Sequence, residues 1–205
     1  ACMMFTLSAP ALAASTDALL QQSTAAKSAV SVLDEENGTE VEPAYQMDLK
    51  YGSIRVYIGD DGKQYVQQGE NAPQQSGNLY ITGSTTANTL TIQGGDSTAA
   101  KVTLSNVKIN ASGAAVSVSG NVELIIAGTN TNTLRSGTDH AGVEKADDNG
   151  TLTISGTGTL EAYGGQGGAG IGGARNKNAS NIVIEGGTIK ANGGTWGAGI
   201  GGGQS

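Results

Sequence analysis

The 205-residue sequence contains few of the residues on which many folds and catalytic sites depend. It has one cysteine (Cys2), one histidine, one tryptophan and three prolines, and only 14% of its residues are charged. A single cysteine excludes an intrachain disulfide and a zinc site built from several cysteines. The apolar run at the N-terminus is too short to span a bilayer, so we expect no membrane insertion of the mature chain.

Positive charge is also scarce, and charge is unevenly distributed. The formal net charge is −7. Residues 1–100 carry eleven acidic and four basic residues, whereas residues 101–205 carry seven of each. A chain without a basic stripe is poorly suited to a phosphate backbone, so nucleic acid is not an expected partner.

Glycine, by contrast, is abundant, with 33 residues, and many of them belong to a phrase that occurs twice. The stretch 164–173 is GGQGGAGIGG and the stretch 193–202 is GGTWGAGIGG, so that Ile171 of the first corresponds to Ile200 of the second. A fixed period of roughly 20 to 50 residues indicates a solenoid, in which each repeat buries its apolar face against the next.

Short apolar segments recur in three slots of this repeat. The first slot holds 102–104, 122–126, 152–154 and 182–184; the second holds 107–109, Leu134, Leu160 and Ile189; the third holds Val116, Val143, Ile171 and Ile200. No helix-length apolar period lies between them, which excludes βαβ units. Parallel crossovers are right-handed in about 98% of cases. Residues 48–205 are therefore predicted to form an all-β, right-handed parallel β-helix (a solenoid) with three short strands per coil of about 27–30 residues.

The region before residue 48 differs in character. Residues 1–14 end in the A-x-A box Ala11-Leu12-Ala13 and are interpreted as the remnant of a secretory signal peptide, with a buried cap strand as the alternative. Residues 15–47 are interpreted as a linker or pro-region with a marginal helix up to Val32. No polar capping strand follows Gly203, so the β-helix is expected to be truncated at its C-terminal end.

The glycines of the repeated phrases are predicted to shape a narrow turn of the coil. We expect positive φ at the pairs Gly172-Gly173 and Gly201-Gly202. Gly170 and Gly199 belong to the same turn, and valine at position 170 should be hard to accommodate. No helix follows either phrase and no Lys-Ser/Thr pair accompanies it, which excludes a phosphate-binding loop.

The densest polar cluster lies in the long turn between Leu134 and Leu152. Glu144, Asp147 and Asp148 offer the oxygen ligands that calcium prefers, so the cofactor prediction is none, with calcium as the alternative. Asp139 and His140 are candidate glycan contacts. The other interpretation is a solvated loop, because Asp-Asp-Asn-Gly at 147–150 is a strong turn signal.

Two aromatic residues, Tyr163 and Trp196, are predicted to lie on the same turn of successive coils. Sugars stack on aromatic faces through their C–H groups, so this edge is a candidate shallow glycan platform. The alternative is that both rings shield an open corner of the coil.

These motifs resemble those of a known family. The segments VTLSNV (102–107), LIIAGTNTNTL (124–134) and LTISG (152–156), with the two GAGIGG phrases, resemble adhesin-like or carbohydrate-binding surface proteins of gut Firmicutes and related bacteria. The resemblance covers about Asp48–Gly203. It implies a secreted or cell-wall protein with right-handed β-helix repeats, further repeats and a wall anchor. No catalytic motif of the family maps onto this chain.

The leading functional prediction is a secreted or cell-surface segment for adhesion or carbohydrate binding, without catalysis. Its expected partner is a polysaccharide or a host or cell-surface glycan. The second interpretation is a structural stalk of a larger surface protein. The third is a polysaccharide lyase or glycoside hydrolase, which would need a base or paired carboxylates in a cleft.

Overall fold

The computed structural model describes residues 27–30, 44–145 and 149–205. Within these ranges the chain is all-β, with one turn of 3₁₀ helix, η1 (Leu49–Tyr51). The strands are β1 (Lys27–Val30), β2 (Ala44–Asp48), β3 (Ile54–Ile58), β4 (Gln64–Gln68), β5 (Gln74–Gln75), β6 (Leu79–Thr82), β7 (Ser84–Thr85), β8 (Leu90–Gln93), β9 (Ala100–Ser105), β10 (Lys108–Asn110), β11 (Val116–Ser119), β12 (Val122–Ala127), β13 (Asn132–Arg135), β14 (Val143–Lys145), β15 (Leu152–Gly156), β16 (Thr159–Tyr163), β17 (Ile171–Gly172), β18 (Ile182–Ile184), β19 (Thr188–Asn192) and β20 (Ile200–Gly201).

The strands form three sheets in which most neighbours run parallel, but β1–β2, β3–β4 and β4–β5 are antiparallel pairs. The parallel arrangement predicted from residue 48 onward is therefore wrong for residues 64–75, which form an antiparallel extension of the eight-stranded sheet. The seven-stranded sheet has the order β1-β2-β6-β9-β12-β15-β18, the five-stranded sheet β19-β16-β13-β10-β7, and the eight-stranded sheet β20-β17-β14-β11-β8-β3-β4-β5. From β6 to β20 the chain visits the seven-, five- and eight-stranded sheets in that order five times. The described part is therefore a stack of successive coils, compatible with a β-helix or solenoid.

The third predicted row of apolar residues is confirmed. Val116 pairs with Val143, Val143 with Ile171, and Ile171 with Ile200, all in parallel strands of the eight-stranded sheet. The row begins one coil earlier, at Leu90. Val116, Val143 and Ile171 are fully buried, whereas Ile200, in the last described coil, is 48% exposed.

The first predicted row is also found, but the coil length varies more than the sequence indicated. In the seven-stranded sheet Leu79, Val102, Leu124, Ile154 and Ile184 pair in succession. The steps from Leu79 to Val102 and from Val102 to Leu124 are shorter than the two steps that follow. The predicted coil length therefore holds for the later coils along this row and not for the earlier ones, whose turns are shorter.

The second predicted row is wrong by two positions at one coil. Leu134 pairs with Ala162, while Leu160 pairs with Asn132 and Ile189. Asn132 is fully buried. Its Oδ1 accepts a hydrogen bond from the backbone N–H of Val107 (2.9 Å), and its Nδ2 donates to the carbonyl oxygens of Ala127 (2.9 Å) and Thr159 (3.3 Å). These three hydrogen bonds satisfy the buried amide, so Asn132 can occupy the interior position opposite Leu160. An alignment of apolar residues alone places Leu134 at that position instead.

Side chains alternate between the interior and the surface along each strand. In β12, Val122, Leu124 and Ile126 are buried, and the residues between them are partly exposed. The buried side chains of all three sheets form a single hydrophobic cluster, so the core lies between the sheets.

The N-terminal predictions are only partly within the described residues. The signal-peptide remnant, residues 1–14, and most of residues 15–47 lie outside them. Residues 27–30 form strand β1, antiparallel to β2, where a marginal helix was expected. A short helix is marginal unless an amphipathic face packs on the rest of the fold, and this segment has only a weak apolar face, so pairing with β2 is the alternative it adopts. Because β2 pairs with β6, the seven-stranded sheet already includes residues before the predicted boundary at residue 48. Among the described residues, no helix has the length and apolar character needed to cross a bilayer.

The repeated glycines lie where successive coils approach closely. φ is 135° at Gly172 and 130° at Gly201, whereas Gly173 and Gly202 are not among the residues with positive φ, so the expectation is wrong for the second glycine of each pair. At Gly173 the constraint is space instead, because a Cβ there would collide with the carbonyl of Lys177. At Gly170 a Cβ would lie only 2.5 Å from the backbone nitrogen of Asn192 in the next coil.

Candidate functional site

The outer side of the five-stranded sheet carries polar and charged residues from successive coils. We call it the five-stranded face and define it by the outward side chains of β10, β13, β16 and β19: Lys108, Asn110, Thr133, Arg135, Thr159, Glu161, Tyr163, Thr188, Lys190 and Asn192. Parallel pairing aligns them in rows that run across the strands. One row is Lys108, Thr133, Glu161 and Lys190.

A connected set of side chains occupies the centre of this face. The Arg135 guanidinium lies 3.6 Å from the centroid of the Tyr163 ring. The Tyr163 hydroxyl donates a hydrogen bond to Glu161 Oε2 (3.0 Å), and Lys190 Nζ donates to Glu161 Oε1 (2.9 Å). Tyr163 pairs with Asn192 in the next coil. The arrangement positions Arg135 by cation–π contact and Glu161 by two hydrogen bonds.

These contacts keep Glu161 and Lys190 charged. Hydrogen bonds from Lys190 and Tyr163 hold the pKa of Glu161 below its ordinary value, and the hydrogen bond to Glu161 raises the pKa of Lys190 above its own. Both directions follow from stabilisation of the charged forms. Around neutral pH the pair is therefore an ion pair, and Glu161 is not a proton donor.

A shallow depression adjoins this set on the earlier coils. It has a volume of about 610 Å³, and Ser84, Lys108, Asn130, Thr131 and Thr133 are among the residues that line it. Asn106 also lines it, and the backbone N–H of Asn130 donates a hydrogen bond to Asn106 Oδ1 (3.0 Å), which joins the turns of two successive coils. The depression thus combines hydroxyl and amide groups with one exposed cation.

Three turns of successive coils form a ridge beside the five-stranded face. We call residues 137–140, 165–168 and 194–197 the turn ridge. The Asp139 N–H donates to the Gln166 carbonyl (2.8 Å), and the Gly167 N–H donates to the Thr195 carbonyl (3.0 Å). These bonds stack the turns in order along the coils. The predicted candidates Asp139, His140 and Trp196 therefore share one ridge.

Tyr163 and Trp196 occupy different parts of this region. Tyr163 ends β16 on the five-stranded face, whereas Trp196 lies on the turn ridge between β19 and β20. The Trp196 side chain is 65% exposed. Its backbone has a φ of 68°, in the left-handed region that residues other than glycine rarely adopt. The prediction that both lie on the same turn of successive coils is therefore wrong, because Tyr163 belongs to a strand and Trp196 to a turn of the next coil.

The predicted polar cluster separates into two pairs. His140 Nδ1 lies 2.8 Å from Glu144 Oε2, which also accepts a hydrogen bond from the Ala141 N–H (3.2 Å). Arg175 contacts Asp139 at 3.3 Å across successive coils. Asp147 and Asp148 lie outside the described residues. Within the described ranges, no group of three or more His, Cys, Asp or Glu side chains is close enough to hold a metal ion. Because two of the three candidate ligands lie outside those ranges, the calcium alternative stays a prediction.

The sequence indicated Tyr163, but not Lys108, Thr133, Glu161 or Lys190. The sequence pattern that could have indicated these four residues is a charged or polar residue between two inward-facing residues, which occurs once per coil. Comparison with protein-family models, with curated proteins and with solved structures found no match. The geometry of the five-stranded face and the turn ridge is therefore the basis for a functional proposal.

Proposed function

We propose that this chain is a segment of a secreted or cell-surface protein that binds polysaccharide without catalysing its breakdown, and that it folds as a right-handed parallel β-helix. The strict order in which the chain visits the three sheets supports the β-helix. The right-handed rule for parallel crossovers supports its hand. The GAGIGG phrases and their neighbours support the comparison with adhesin-like surface proteins.

One observation supports the binding function most directly. Aromatic, cationic and amide side chains lie next to one another on the five-stranded face and the turn ridge, and successive coils present them in rows. Polysaccharide sites commonly combine an aromatic surface for the sugar ring with hydrogen-bonding groups for its hydroxyls. Strands in one sheet are about 4.8 Å apart, which is comparable to the length of one sugar unit, so an extended glycan can meet a similar group at each coil.

Trp196 tests the proposal because its exposed ring has no evident role in the core. We expect Trp196→Ala to lower retention on a binding polysaccharide several-fold, since an aromatic contact contributes about 0.5–1.5 kcal/mol, while circular dichroism stays unchanged. Trp196→Asn is the second variant, because asparagine tolerates positive φ. Tyr80→Ala, which removes a 40% exposed aromatic from the seven-stranded sheet, is the matched control.

The measurement is pulldown on pectin, mucin and plant glucans, with and without calcium. Equal retention of Trp196→Ala and the unchanged chain would remove Trp196 from the site. A decrease with Tyr80→Ala as large as with Trp196→Ala would indicate non-specific adsorption. A fall in substrate viscosity, or products that absorb in the ultraviolet, would instead favour a lyase or hydrolase.

A structural stalk is the second candidate function, and the stack itself favours it. Each strand from β9 to β17 has a partner in the coil before it and in the coil after it. Such a stack can extend without a ligand. If the chain has an intact β-sheet circular dichroism spectrum but is retained on none of the polysaccharides, the result would support the stalk over the binding segment.

A further inference from the structure

The five-stranded face carries an excess of positive charge, in contrast to the chain as a whole. It presents Lys108, Arg135 and Lys190 against a single carboxylate, Glu161, although the whole chain has a net charge of −7. On the seven-stranded sheet, Lys101 is neutralised by Glu123 at 2.9 Å. The local excess therefore distinguishes the five-stranded face from the seven-stranded sheet.

Two of its cations form no direct ion pair with a carboxylate in the part of the chain that the structure describes, although the charge of Arg135 also acts on Glu161. Glu161 binds Lys190. Among the described residues, no carboxylate forms an ion pair with Lys108 or Arg135. Lys108 lies on β10, and Arg135 lies on the neighbouring β13, two positions further along the register. From strand geometry their Cα atoms are about 8 Å apart.

The surroundings of these two cations suit a sugar rather than a bare ion. Lys108 lines the open depression together with Ser84, Asn130 and Thr131, which offer hydroxyl and amide groups. Arg135 is held against the Tyr163 ring at 3.6 Å. A guanidinium fixed in this way loses less freedom when it binds an anion.

We propose that the five-stranded face binds an anionic polysaccharide, one that bears carboxylate or sulfate groups, with its chain running across the strands. Lys108 and Arg135 contact the anionic groups of nearby sugar units, and the hydroxyl and amide groups of the depression contact the neutral ring substituents. Guanidinium and ammonium groups form charge-assisted hydrogen bonds with such anions. This inference rests on the proposed polysaccharide-binding function and specifies the class of ligand.

The experiment compares probes that differ only in charge. The 205-residue chain is titrated with dextran and dextran sulfate, and with polygalacturonate before and after methyl esterification, at low and at high salt. We expect binding to dextran sulfate, to unesterified polygalacturonate or to both, and weaker binding at high salt, because salt screens exposed charges. The two charged probes distinguish sulfate from carboxylate as the preferred group.

Variants then locate the site. Lys108→Gln and Arg135→Gln should each weaken binding of the charged probe roughly tenfold, the effect of losing one charge-assisted hydrogen bond. Lys101→Gln removes the same charge from the seven-stranded sheet and should leave affinity within about twofold. Urea denaturation of each variant shows whether the fold is retained. If either substitution disrupts it, variants that preserve charge take its place. Lys108→Arg should keep binding within a few-fold of the unchanged chain. Arg135→Lys keeps the charge but loses the guanidinium stacked on Tyr163, so it should weaken binding less than the tenfold expected for loss of the charge.

The outcomes separate this inference from the proposed function. Equal binding of neutral and charged probes would overturn the anionic class and leave polysaccharide binding standing. No binding to any polysaccharide would overturn both. Loss with Lys101→Gln as large as with Lys108→Gln would refute the five-stranded face as the site. Equally strong binding of single-stranded DNA would show non-specific attraction to polyanions and would also overturn the inference.

Discussion

Replacing Gly170 by alanine should destabilise the stack strongly, although it adds a single methyl group. The new Cβ would lie 2.5 Å from the Asn192 nitrogen, 2.7 Å from the Gly199 oxygen and 2.8 Å from the Ala191 carbonyl carbon. All three atoms belong to the backbone of the next coil, so no side chain can rotate out of the way. Relief requires the two coils to move apart.

That separation would strain the hydrogen bonds that join the coils at this point. The Gly170 N–H donates to the Ala198 carbonyl (2.9 Å), and the Ile171 N–H donates to the Gly199 carbonyl (2.9 Å). Two weakened hydrogen bonds at about 1 kcal/mol each, with overpacking strain of about 1–3 kcal/mol, give a loss of about 3–5 kcal/mol. This is a large fraction of the typical free energy of unfolding, about 5–15 kcal/mol.

Urea denaturation followed by circular dichroism measures this loss, and Gly199→Ala is the matched control. Gly199 occupies the same position of the second phrase, but its Cβ would meet only the Ala191 oxygen, at 3.0 Å, as a close contact. We expect Gly199→Ala to change the free energy of unfolding by less than about 1 kcal/mol. If Gly170→Ala is no more destabilising than Gly199→Ala, the reasoning from coil spacing is refuted.

Two further predictions concern buried and exposed polar groups. Asn132→Leu should destabilise the chain by about 2–4 kcal/mol in the same urea assay, because the Val107 N–H and two carbonyls lose their side-chain partner; unchanged stability would contradict this. The Glu161 contribution should be present at neutral pH and disappear as pH falls through its pKa, which the hydrogen bonds from Lys190 and Tyr163 hold below the ordinary glutamate value. The urea midpoints of the unchanged chain and Glu161→Gln should therefore differ at pH 7 and converge in acid, and a constant difference across this range would contradict the assignment.

One row in the seven-stranded sheet and one in the eight-stranded sheet could be predicted because each holds an apolar residue at every coil. These rows are Leu79, Val102, Leu124, Ile154 and Ile184, and Leu90, Val116, Val143, Ile171 and Ile200. Val116, Val143 and Ile171 are each bounded by small or polar residues, so a simple repeat aligns them. The row through Leu160 could not be aligned in this way. Its partner Asn132 is polar, and only the hydrogen bonds of the folded chain reveal that it belongs inside.

The charged row of the five-stranded face was hidden for another reason. Lys108, Thr133, Glu161 and Lys190 follow one another along the chain at unequal intervals, the shortest being that between Lys108 and Thr133. A single fixed period does not bring them together, because turn lengths differ from coil to coil. Trp196 was predictable as a candidate from its rarity, but its exposure and positive φ depend on the turn geometry.

The parallel registers from β6 to β20 have a mechanical consequence. The hydrogen bonds that join one coil to the next point along the direction of stacking, so tension between the two ends would load one set of them at a time. Parallel strands pulled in this direction should separate by unzipping rather than by shear, and the coils should detach in sequence at low force. Optical tweezers would then record a series of small steps, and a molecule of this kind would lengthen gradually under flow instead of rupturing at once.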